Sequence, residues 1–231
     1  MERRPKSAIA RGLGDGFPVL LATIPFALLF GFTINAAVPV VQKGVAWSSS
    51  LIVFGGASQV AMTDLLGAGG TVGLAIIVGL VINARHLMYS AVLARRFVDQ
   101  PRWFKMVGPV WLIDQLFALV STQTAGFDAK DFRRYWLAVS ALFYVFWPVF
   151  VTVGVLLGPI IPEEWPVEFA LPAMFISIVV PSIQSRPALV AAVVGGLVGA
   201  TASGLPLGVG LLIGGVVGIV AGTVVEGQAN A

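Results

Sequence analysis

The sequence predicts an all-α membrane protein with seven or eight transmembrane segments, one of them broken or re-entrant. Of the 231 residues, 58% are hydrophobic and 11% are charged, against roughly 25% charged residues in soluble domains. The mean hydropathy is +0.94. The charges also stand between long apolar runs, and a helix needs about 20 mostly apolar residues to cross a bilayer. A soluble monomer of this composition would have too little polar surface.

Eight apolar segments follow one another along the chain. They cover residues 17–41, 48–66, 71–94, 107–125, 135–158, 167–182, 187–203 and 206–225. The linkers between them are short, so we expect one transmembrane domain over residues 1–231, with a basic amino-terminal stretch 1–16 and a helical bundle over 17–225. The first apolar run is longer than the apolar core of a signal peptide, so we expect no cleavage there.

Segment 48–66 is the weakest candidate for a simple crossing. It is short and is interrupted by Gly55, Gly56, Ser58 and Gln59. Non-helical backbone at membrane depth is tolerated only where it faces protein or a wet cavity, so this segment predicts a broken or re-entrant helix. We compared a topology in which it crosses with one in which it re-enters, letting segment 107–125 cross in both. Both place the same number of basic residues inside, so the positive-inside rule does not choose between them.

Charge and residue types exclude several functions. The formal net charge is +3, and the basic residues stand at the ends of apolar segments, where they bias orientation rather than bind nucleic acid. The chain has no cysteine and one histidine, which argues against disulfides and a zinc site. The sequence contains neither a phosphate-binding loop nor a serine-hydrolase elbow. We therefore expect no cofactor and no enzyme activity.

A polar cluster lies inside the third segment, formed by Asn83, Arg85, His86 and Tyr89. In a regular helix, Arg85 would lie roughly 13 Å from the end at Ala94, near mid-bilayer. A charge there costs at least about 2.5–3.5 kcal/mol, so such residues are functional candidates that face the protein interior. At about 100° per residue, the four side chains fall within an arc of roughly 160° and can line one cavity.

Each polar residue also has a structural interpretation. Arg85 could satisfy backbone carbonyls or pair with Asp114, which lies in the fourth segment. His86 could have the purely structural role of forming a hydrogen bond between helices. In the functional interpretation, Arg85, Asn83 and Tyr89 contact a substrate. His86, whose unperturbed pKa is near 6.5, and Asp114 are then the candidates for proton coupling. The break beside Gln59 would add free backbone groups and an amide, as in transporters built from broken helices.

The last two segments carry a glycine pattern. Gly210, Gly214, Gly218 and Gly222 repeat every four residues, and Gly195 and Gly199 do so in the preceding segment. Such stripes allow helix backbones to approach closely. The stripe could pack the last two helices together or form a face for another subunit. The short connection around Gly204 makes the two helices antiparallel neighbours and slightly favours the first interpretation.

Several motifs together resemble the AzlC (azaleucine-resistance) family over about residues 12–226. They are Pro25–Phe26 with Gly31, Phe54–Gln59, Asn83–Tyr89, Asp114–Phe117, Trp147 and Phe169–Phe175. The family usually has Asp-Glu where this chain has Asp114-Gln115, which leaves Asp114 as the sole acid of that motif.

The resemblance implies the large subunit of a permease in the bacterial cytoplasmic (inner) membrane. It would export branched-chain amino acids, driven by the proton gradient, with a small AzlD-type membrane subunit as partner. Gly55, Gly56, Ser58, Gln59, Asn83, Arg85 and Tyr89 are then the predicted substrate-binding residues. A channel, for which an arginine at mid-depth would suit anions, and a non-transporting structural subunit remain the alternatives.

Overall fold

The computed structural model describes residues 7–37, 40–160, 183–205 and 209–229, together with positions 169, 172, 173, 176, 179 and 180. Within these residues the chain is helical and contains no strand. The predicted segment 167–182 lies largely outside the described residues, as does most of the motif at Phe169–Phe175.

Ten α-helices have their bounds within the described residues. They are α1 (Ala8–Ala37), α2 (Val40–Ile52), α3 (Gly56–Gly67), α4 (Val72–Asn83), α5 (Arg85–Phe97), α6 (Arg102–Val107), α7 (Asp114–Gln123), α8 (Ala129–Leu157), α9 (Arg186–Thr201) and α10 (Val209–Ala229). Short 3-10 turns follow α6 at Gly108–Trp111 and α8 at Gly158–Ile160. Local capping fixes several starts: the side chains of Thr71, Asp128 and Ser185 accept backbone N–H groups at the first turns of α4, α8 and α9.

The two longest helices, α1 and α8, form the axis of the molecule. Gly31 and Gly154 let their backbones approach, since a Cβ atom on either glycine would overlap backbone atoms of the other helix. Large aromatic side chains such as Phe26, Phe30 and Trp147 fill the space beside this contact. Both helices are long and apolar enough to cross a membrane.

Hydrogen bonds define one end of the molecule, which we call the basic end. There Arg11 of α1 donates to the carbonyl of Gln123 at the end of α7, and Arg96 donates to the carbonyl of Thr124. Arg133 of α8 donates to Gln100 in the α5–α6 loop. The start of α1, the α5–α6 loop and the α7–α8 loop therefore meet at this end. Its basic residues include Arg11, Arg95, Arg96, Arg102, Lys105, Lys130, Arg133 and Arg134.

Contacts between the last turns of α1 and α8 define the opposite end. Asn35 donates to the carbonyl of Val155 and accepts from Lys43 of α2. Gly67, the last residue of α3, packs against Ala37. The start of α2 and the end of α3 therefore lie at the same end of the molecule.

Helices α2 and α3 form a re-entrant hairpin, which we call the first hairpin (residues 40–67). Its tip at Val53–Gly55 reaches only the middle of α8, where Tyr144 donates to the carbonyl of Leu51 and its ring contacts Phe54. Phe54 takes a positive φ of 46°, an uncommon conformation for a large side chain, where the chain reverses. The predicted break in segment 48–66 is confirmed, and at this segment the structure agrees with re-entry rather than with a crossing.

Residues 102–123 form a second hairpin that starts and ends at the basic end. Trp136 of α8 donates to the carbonyl of Gly108, and Trp111 reaches the ring of Tyr144. The chain is extended at Leu112 and Ile113 and turns back as α7. The prediction that segment 107–125 crosses the membrane is therefore wrong. Its break has no glycine pair, but the Gly108–Pro109 dipeptide at the start of the 3-10 turn is a helix-breaking signal that the prediction did not use.

The third segment is also interrupted, because α4 ends at Asn83 and α5 begins at Arg85. Together they still run from the opposite end to the basic end. Four stretches are long and apolar enough to cross a membrane: Ala8–Ala37, Val72–Phe97, Ala129–Leu157 and Val209–Gly227. The expected seven or eight crossings are not confirmed. Two of the eight predicted segments belong to re-entrant hairpins, and Arg186–Thr201 is a shorter apolar helix.

The final two helices pack on each other through glycines. A Cβ atom on Gly214 would lie 2.6 Å from the carbonyl oxygen of Gly195, and one on Gly218 would lie 2.6 Å from that of Ala191. Gly210 and Gly222 also face α9. The stripe predicted from the sequence therefore packs α10 against α9, the interpretation that the short connection favoured.

Candidate functional site

The two hairpin tips and the α4–α5 break meet at one small cavity in the middle of the molecule. We call it the central cavity. Its lining residues come from five helices and both tips: Phe26, Phe54, Gly55, Gly56, Ala57, Arg85, His86, Ile113, Asp114, Gln115, Phe143 and Trp147. Hairpins entering from opposite ends therefore converge on a shared pocket that contains one arginine, one histidine and one carboxylate.

An ion pair joins two of the breaks at this cavity. Nη2 of Arg85 lies 3.0 Å from Oδ2 of Asp114, and the two side chains are 8% and 12% exposed. Tyr89 donates a hydrogen bond of 2.7 Å to the other carboxylate oxygen of Asp114. The ring of Tyr89 stacks on Phe117 and contacts His86. Both oxygens of Asp114 are thus engaged, and the pair predicted as one alternative is present.

Two helices begin at the cavity after a break in the chain, α3 at Gly56 and α7 at Asp114, whereas α5 follows α4 after the single turn residue Ala84. Neither α3 nor α7 has a side-chain cap at its start. The amino-terminal end of a helix carries free N–H groups and a partial positive charge. With the guanidinium of Arg85, these ends make the site electropositive, and Asp114 is the one carboxylate that lines it. Such a site suits a negatively charged group.

Two polar atoms beside the cavity have no hydrogen-bond partner among the described residues. They are Oδ1 of Asn83, an acceptor, and Nε1 of Trp147, a donor. Oδ1 of Asn83 lies 3.0 Å from the position that a Cβ atom on Gly55 would take. A buried polar group without a partner costs about 1–3 kcal/mol. Trp147 lines the cavity, and Asn83 lies beside Gly55, which also lines it.

The central cavity has a volume of about 30 Å³, room for about one water molecule. The side chains that close it are large, with Phe26, Phe54, Phe143 and Trp147 around the polar groups. Gly56 is tightly enclosed, because a Cβ atom there would lie 2.5 Å from Phe26 and 2.9 Å from Trp147. In this conformation the site is too small for a ligand larger than about one water molecule, so such a ligand requires the tips to separate.

The predicted site residues fall into two groups. Gly55, Gly56, Arg85, His86 and Asp114 line the central cavity, while Tyr89 and Asn83 contact its edge. Ser58 is buried and donates to the carbonyl of Gly55, which makes it part of the turn. Gln59 lies elsewhere: its amide donates to Ser49, and it lines a separate cavity between α2, α3 and α4.

The sequence analysis assigned no functional role to the aromatic side chains that line the central cavity. Phe26, Phe54 and Trp147 belong to motifs singled out in the sequence, but an aromatic residue in an apolar segment is equally expected in a core. Ile113 and Gln115 flank Asp114, and they reach the cavity because the second hairpin turns there. Recognising that turn in the sequence would have identified them.

In the described part of the chain, no group of three or more His, Cys, Asp or Glu side chains could hold a metal ion. The groups that line the central cavity suit charge pairing and hydrogen bonding, through Arg85, Asp114, His86 and the helix starts.

Comparisons with known proteins agree with these motifs. The sequence model of the family described as "AzlC protein" matches residues 18–161, which include both hairpins and every residue that lines the central cavity. The inner membrane protein YgaZ of Escherichia coli is 26% identical over 194 residues, covering 80% of this chain and 78% of that protein.

Two further relatives are uncharacterized membrane proteins. The one from Archaeoglobus fulgidus is 30% identical over 191 residues, covering 80% of this chain and 81% of its own. The one from Helicobacter pylori (strain 26695) is 30% identical over 169 residues, covering 70% and 72%. No solved structure matches the chain.

Proposed function

The chain belongs to the AzlC family of multi-pass membrane proteins, and from this premise we propose that it is the large subunit of a secondary transporter. Its cargo would be branched-chain amino acids, which it would export from the cell with a small AzlD-type membrane subunit. The observation that carries the proposal is the ion pair of Arg85 and Asp114 at the meeting point of two oppositely directed re-entrant hairpins.

The charges at the central cavity are complementary to a zwitterion. The carboxylate of an amino acid could pair with Arg85, which binds carboxylates through two parallel hydrogen bonds, and could accept from Nε1 of Trp147. The ammonium group could pair with Asp114 and donate to Oδ1 of Asn83. A zwitterion would thus replace the internal ion pair charge for charge, so that neither buried group is left without a counter-ion.

The hairpins also support a carrier rather than an open pore. The closed cavity is several times too small for leucine, so the tips must move before substrate enters. One hairpin enters from each end of the molecule. Movement of one hairpin would therefore connect the site only to the side from which that hairpin enters. Transporters with broken helices at the membrane midplane use the same geometry for alternating access.

The distribution of basic residues supports an orientation. The basic end contains Arg11 and the charged loops around Arg96 and Arg133, whereas Lys43 lies at the opposite end. Positively charged loops face the cytoplasm. We therefore propose that the basic end is cytoplasmic, in the bacterial inner membrane, with the tip of the second hairpin as the inner gate.

His86 and Asp114 remain the candidates for proton coupling. Both line the central cavity and would lie next to the bound substrate. Asp114 is the stronger candidate, because separation of the hairpin tips before substrate binds would break its pair with Arg85. A carboxylate that loses a nearby positive charge binds a proton more readily.

Counterflow in proteoliposomes tests the function. Vesicles preloaded with unlabelled leucine, with and without the small subunit, should accumulate labelled leucine and valine, while a non-aliphatic amino acid should not exchange. Flux that grows linearly with concentration would instead indicate a channel. If no flux is measured even with the small subunit present, the remaining alternative is that the chain is a non-transporting structural subunit.

A further inference from the structure

One side chain in the middle of α8 contacts both hairpins near their tips. The ring of Tyr144 lies 5.2 Å from that of Phe54 in the first hairpin and 6.4 Å from that of Trp111 in the second. Both pairs are edge-to-face, with interplanar angles of 65° and 71°, an arrangement that aromatic rings favour at these separations. Tyr144 is therefore a contact that the two oppositely directed hairpins share.

The contact with the first hairpin includes a hydrogen bond. The hydroxyl of Tyr144 donates to the carbonyl of Leu51 over 3.1 Å. Leu51 belongs to the last turn of α2, where carbonyl groups have no N–H partner within the helix. At membrane depth, a backbone acceptor without a partner is costly. The hydroxyl therefore stabilises the closed position of the first tip, whereas the contact of Tyr144 with Trp111 is between rings.

The conformation of Phe54 gives the first tip a second reason to depend on this contact. Its φ is 46°, and a large side chain keeps such a conformation only where its surroundings hold it. Phe54 is buried, lines the central cavity and packs against the ring of Tyr144. The packing that keeps the tip in this conformation therefore includes Tyr144.

Helix α8 fixes the position of Tyr144 beside the central cavity. Its neighbours Phe143 and Trp147 on the same helix are buried and line that cavity, and the helix packs closely on α1 at Gly154. Tyr144 is half-buried and is not one of the residues that line the cavity. It can thus hold both tips without taking the place of a ligand.

We propose that Tyr144 is the shared positioning residue of the two gates. The first hairpin closes on its hydroxyl and its ring, and the second hairpin closes on its ring alone. This role deepens the proposed function, because it takes the hairpins as the two gates of the carrier. It has an asymmetric consequence: removal of the hydroxyl weakens the first gate only, whereas removal of the ring weakens both.

Cysteine accessibility tests this asymmetry, because the chain has no cysteine of its own. Ala57→Cys introduces one thiol on the wall of the central cavity. An impermeant methanethiosulfonate reagent is added to one face of vesicles that contain the full chain. The rate at which it modifies the thiol measures how often the cavity opens to that face. Gly44→Cys, exposed at the opposite end, identifies the face that each vesicle preparation presents.

Tyr144→Phe should raise the modification rate of Ala57→Cys roughly fivefold from the opposite end, the effect of one lost hydrogen bond on an opening equilibrium. The rate from the basic end should stay unchanged. Trp111→Leu should raise the rate from the basic end only, and Tyr144→Leu should raise it from both ends. Phe146→Leu, which removes an exposed ring from the same helix, is the matched control and should change neither rate.

Three results would overturn the proposal. Tyr144→Phe could change neither rate, or it could raise both equally, as a general loss of stability would. Tyr144→Leu could raise the rate from one end only, which would show that the gates do not share this residue. Ala57→Cys could remain unmodified from both ends in the Tyr144→Leu variant, which would show that the hairpins do not open at this contact.

Leucine counterflow by the unmodified protein separates this role from the proposed function. If the modification rates change as expected but the protein shows no counterflow, the role of Tyr144 stands and the transporter proposal fails. If counterflow is normal and Tyr144→Phe changes neither rate, the role of Tyr144 fails and the transporter proposal stands.

Discussion

Arg85 and Asp114 form a buried ion pair between the first residue of α5 and the first residue of α7. The two positions differ electrostatically. Asp114 is stabilised at the positive end of α7, whereas Arg85 follows Ala84, whose αR backbone leads α4 into α5, and is a buried cation at that point. Arg85 therefore requires an anion, which Asp114 supplies in the closed conformation and which a substrate carboxylate can supply when the hairpin tips separate.

The first prediction concerns the tip of the first hairpin. Gly56→Ala should lower the apparent melting temperature of the purified protein, because its Cβ atom would lie 2.5 Å from Phe26 and 2.9 Å from Trp147. Overpacking of this kind costs about 1–3 kcal/mol. Gly73→Ala on α4, where no atom lies within 4 Å, is the control and should not lower it. Equal melting temperatures for Gly56→Ala and the unmodified protein would mean that the tip of the first hairpin is not tightly packed.

The second prediction concerns topology. Single cysteines introduced by Arg102→Cys and Lys130→Cys should both react with an impermeant thiol reagent from the cytoplasmic side only, because the second hairpin starts and ends at the basic end. Gly44→Cys and Ala68→Cys, at the two ends of the first hairpin, should react only from the other side. Labelling of positions 102 and 130 from opposite sides would show that the chain crosses the membrane between them, which would contradict the fold.

The sequence analysis singled out the charged residues of the central cavity but did not predict the topology that brings them together. A charged residue at membrane depth is costly wherever it lies, so Arg85 and Asp114 stand out by composition alone. The glycine pair at Gly55 and Gly56 marks the first hairpin for a similar reason, since it weakens a helix locally. These signals need no knowledge of the fold.

The second hairpin and the position of Gln59 could not be predicted in the same way. The chain reverses at Leu112 and Ile113, which are apolar and compatible with a continuous helix, and only contacts with Trp136 and Tyr144 show the re-entry. Gln59 follows the break at Gly55 in the sequence, but the direction of α3 sends its side chain towards Ser49. Tertiary packing decides both outcomes.

The third prediction concerns coupling. If Asp114 carries the proton, Asp114→Asn should abolish the dependence of net transport on the pH gradient, while leucine–leucine exchange persists because no net proton movement is required. Tyr89 can still donate to the amide oxygen, but Arg85 loses its counter-ion, so the rates are normalised to the amount of folded protein in the vesicles. His86→Gln tests the other candidate in the same assay. Asp64→Asn, at an exposed position on α3, is the control and should retain coupling; normal coupling in Asp114→Asn and His86→Gln would exclude both residues.

The fourth prediction concerns the last two helices. Gly214→Leu and Gly218→Leu should reduce the yield of the lone subunit several-fold, since both glycines lie against the backbone of α9 and packing drives helix association in lipid. Gly196→Leu, a position on α9 with no atom within 4 Å, should accumulate normally. If Gly214→Leu and Gly218→Leu accumulate normally but no longer co-purify with the small subunit, the glycine stripe contacts that subunit instead of α9.

The most direct test of the central claim is the initial rate of leucine counterflow in Arg85→Lys, normalised to the amount of protein in the vesicles. Lysine keeps the charge but cannot form the two parallel hydrogen bonds that arginine makes with a carboxylate. We predict a rate at least about tenfold lower, which corresponds to roughly 1.4 kcal/mol of lost interaction. Arg95→Lys at the exposed basic end should transport normally. A rate for Arg85→Lys equal to that of the unmodified protein would show that the meeting point of the two hairpins is not the substrate site.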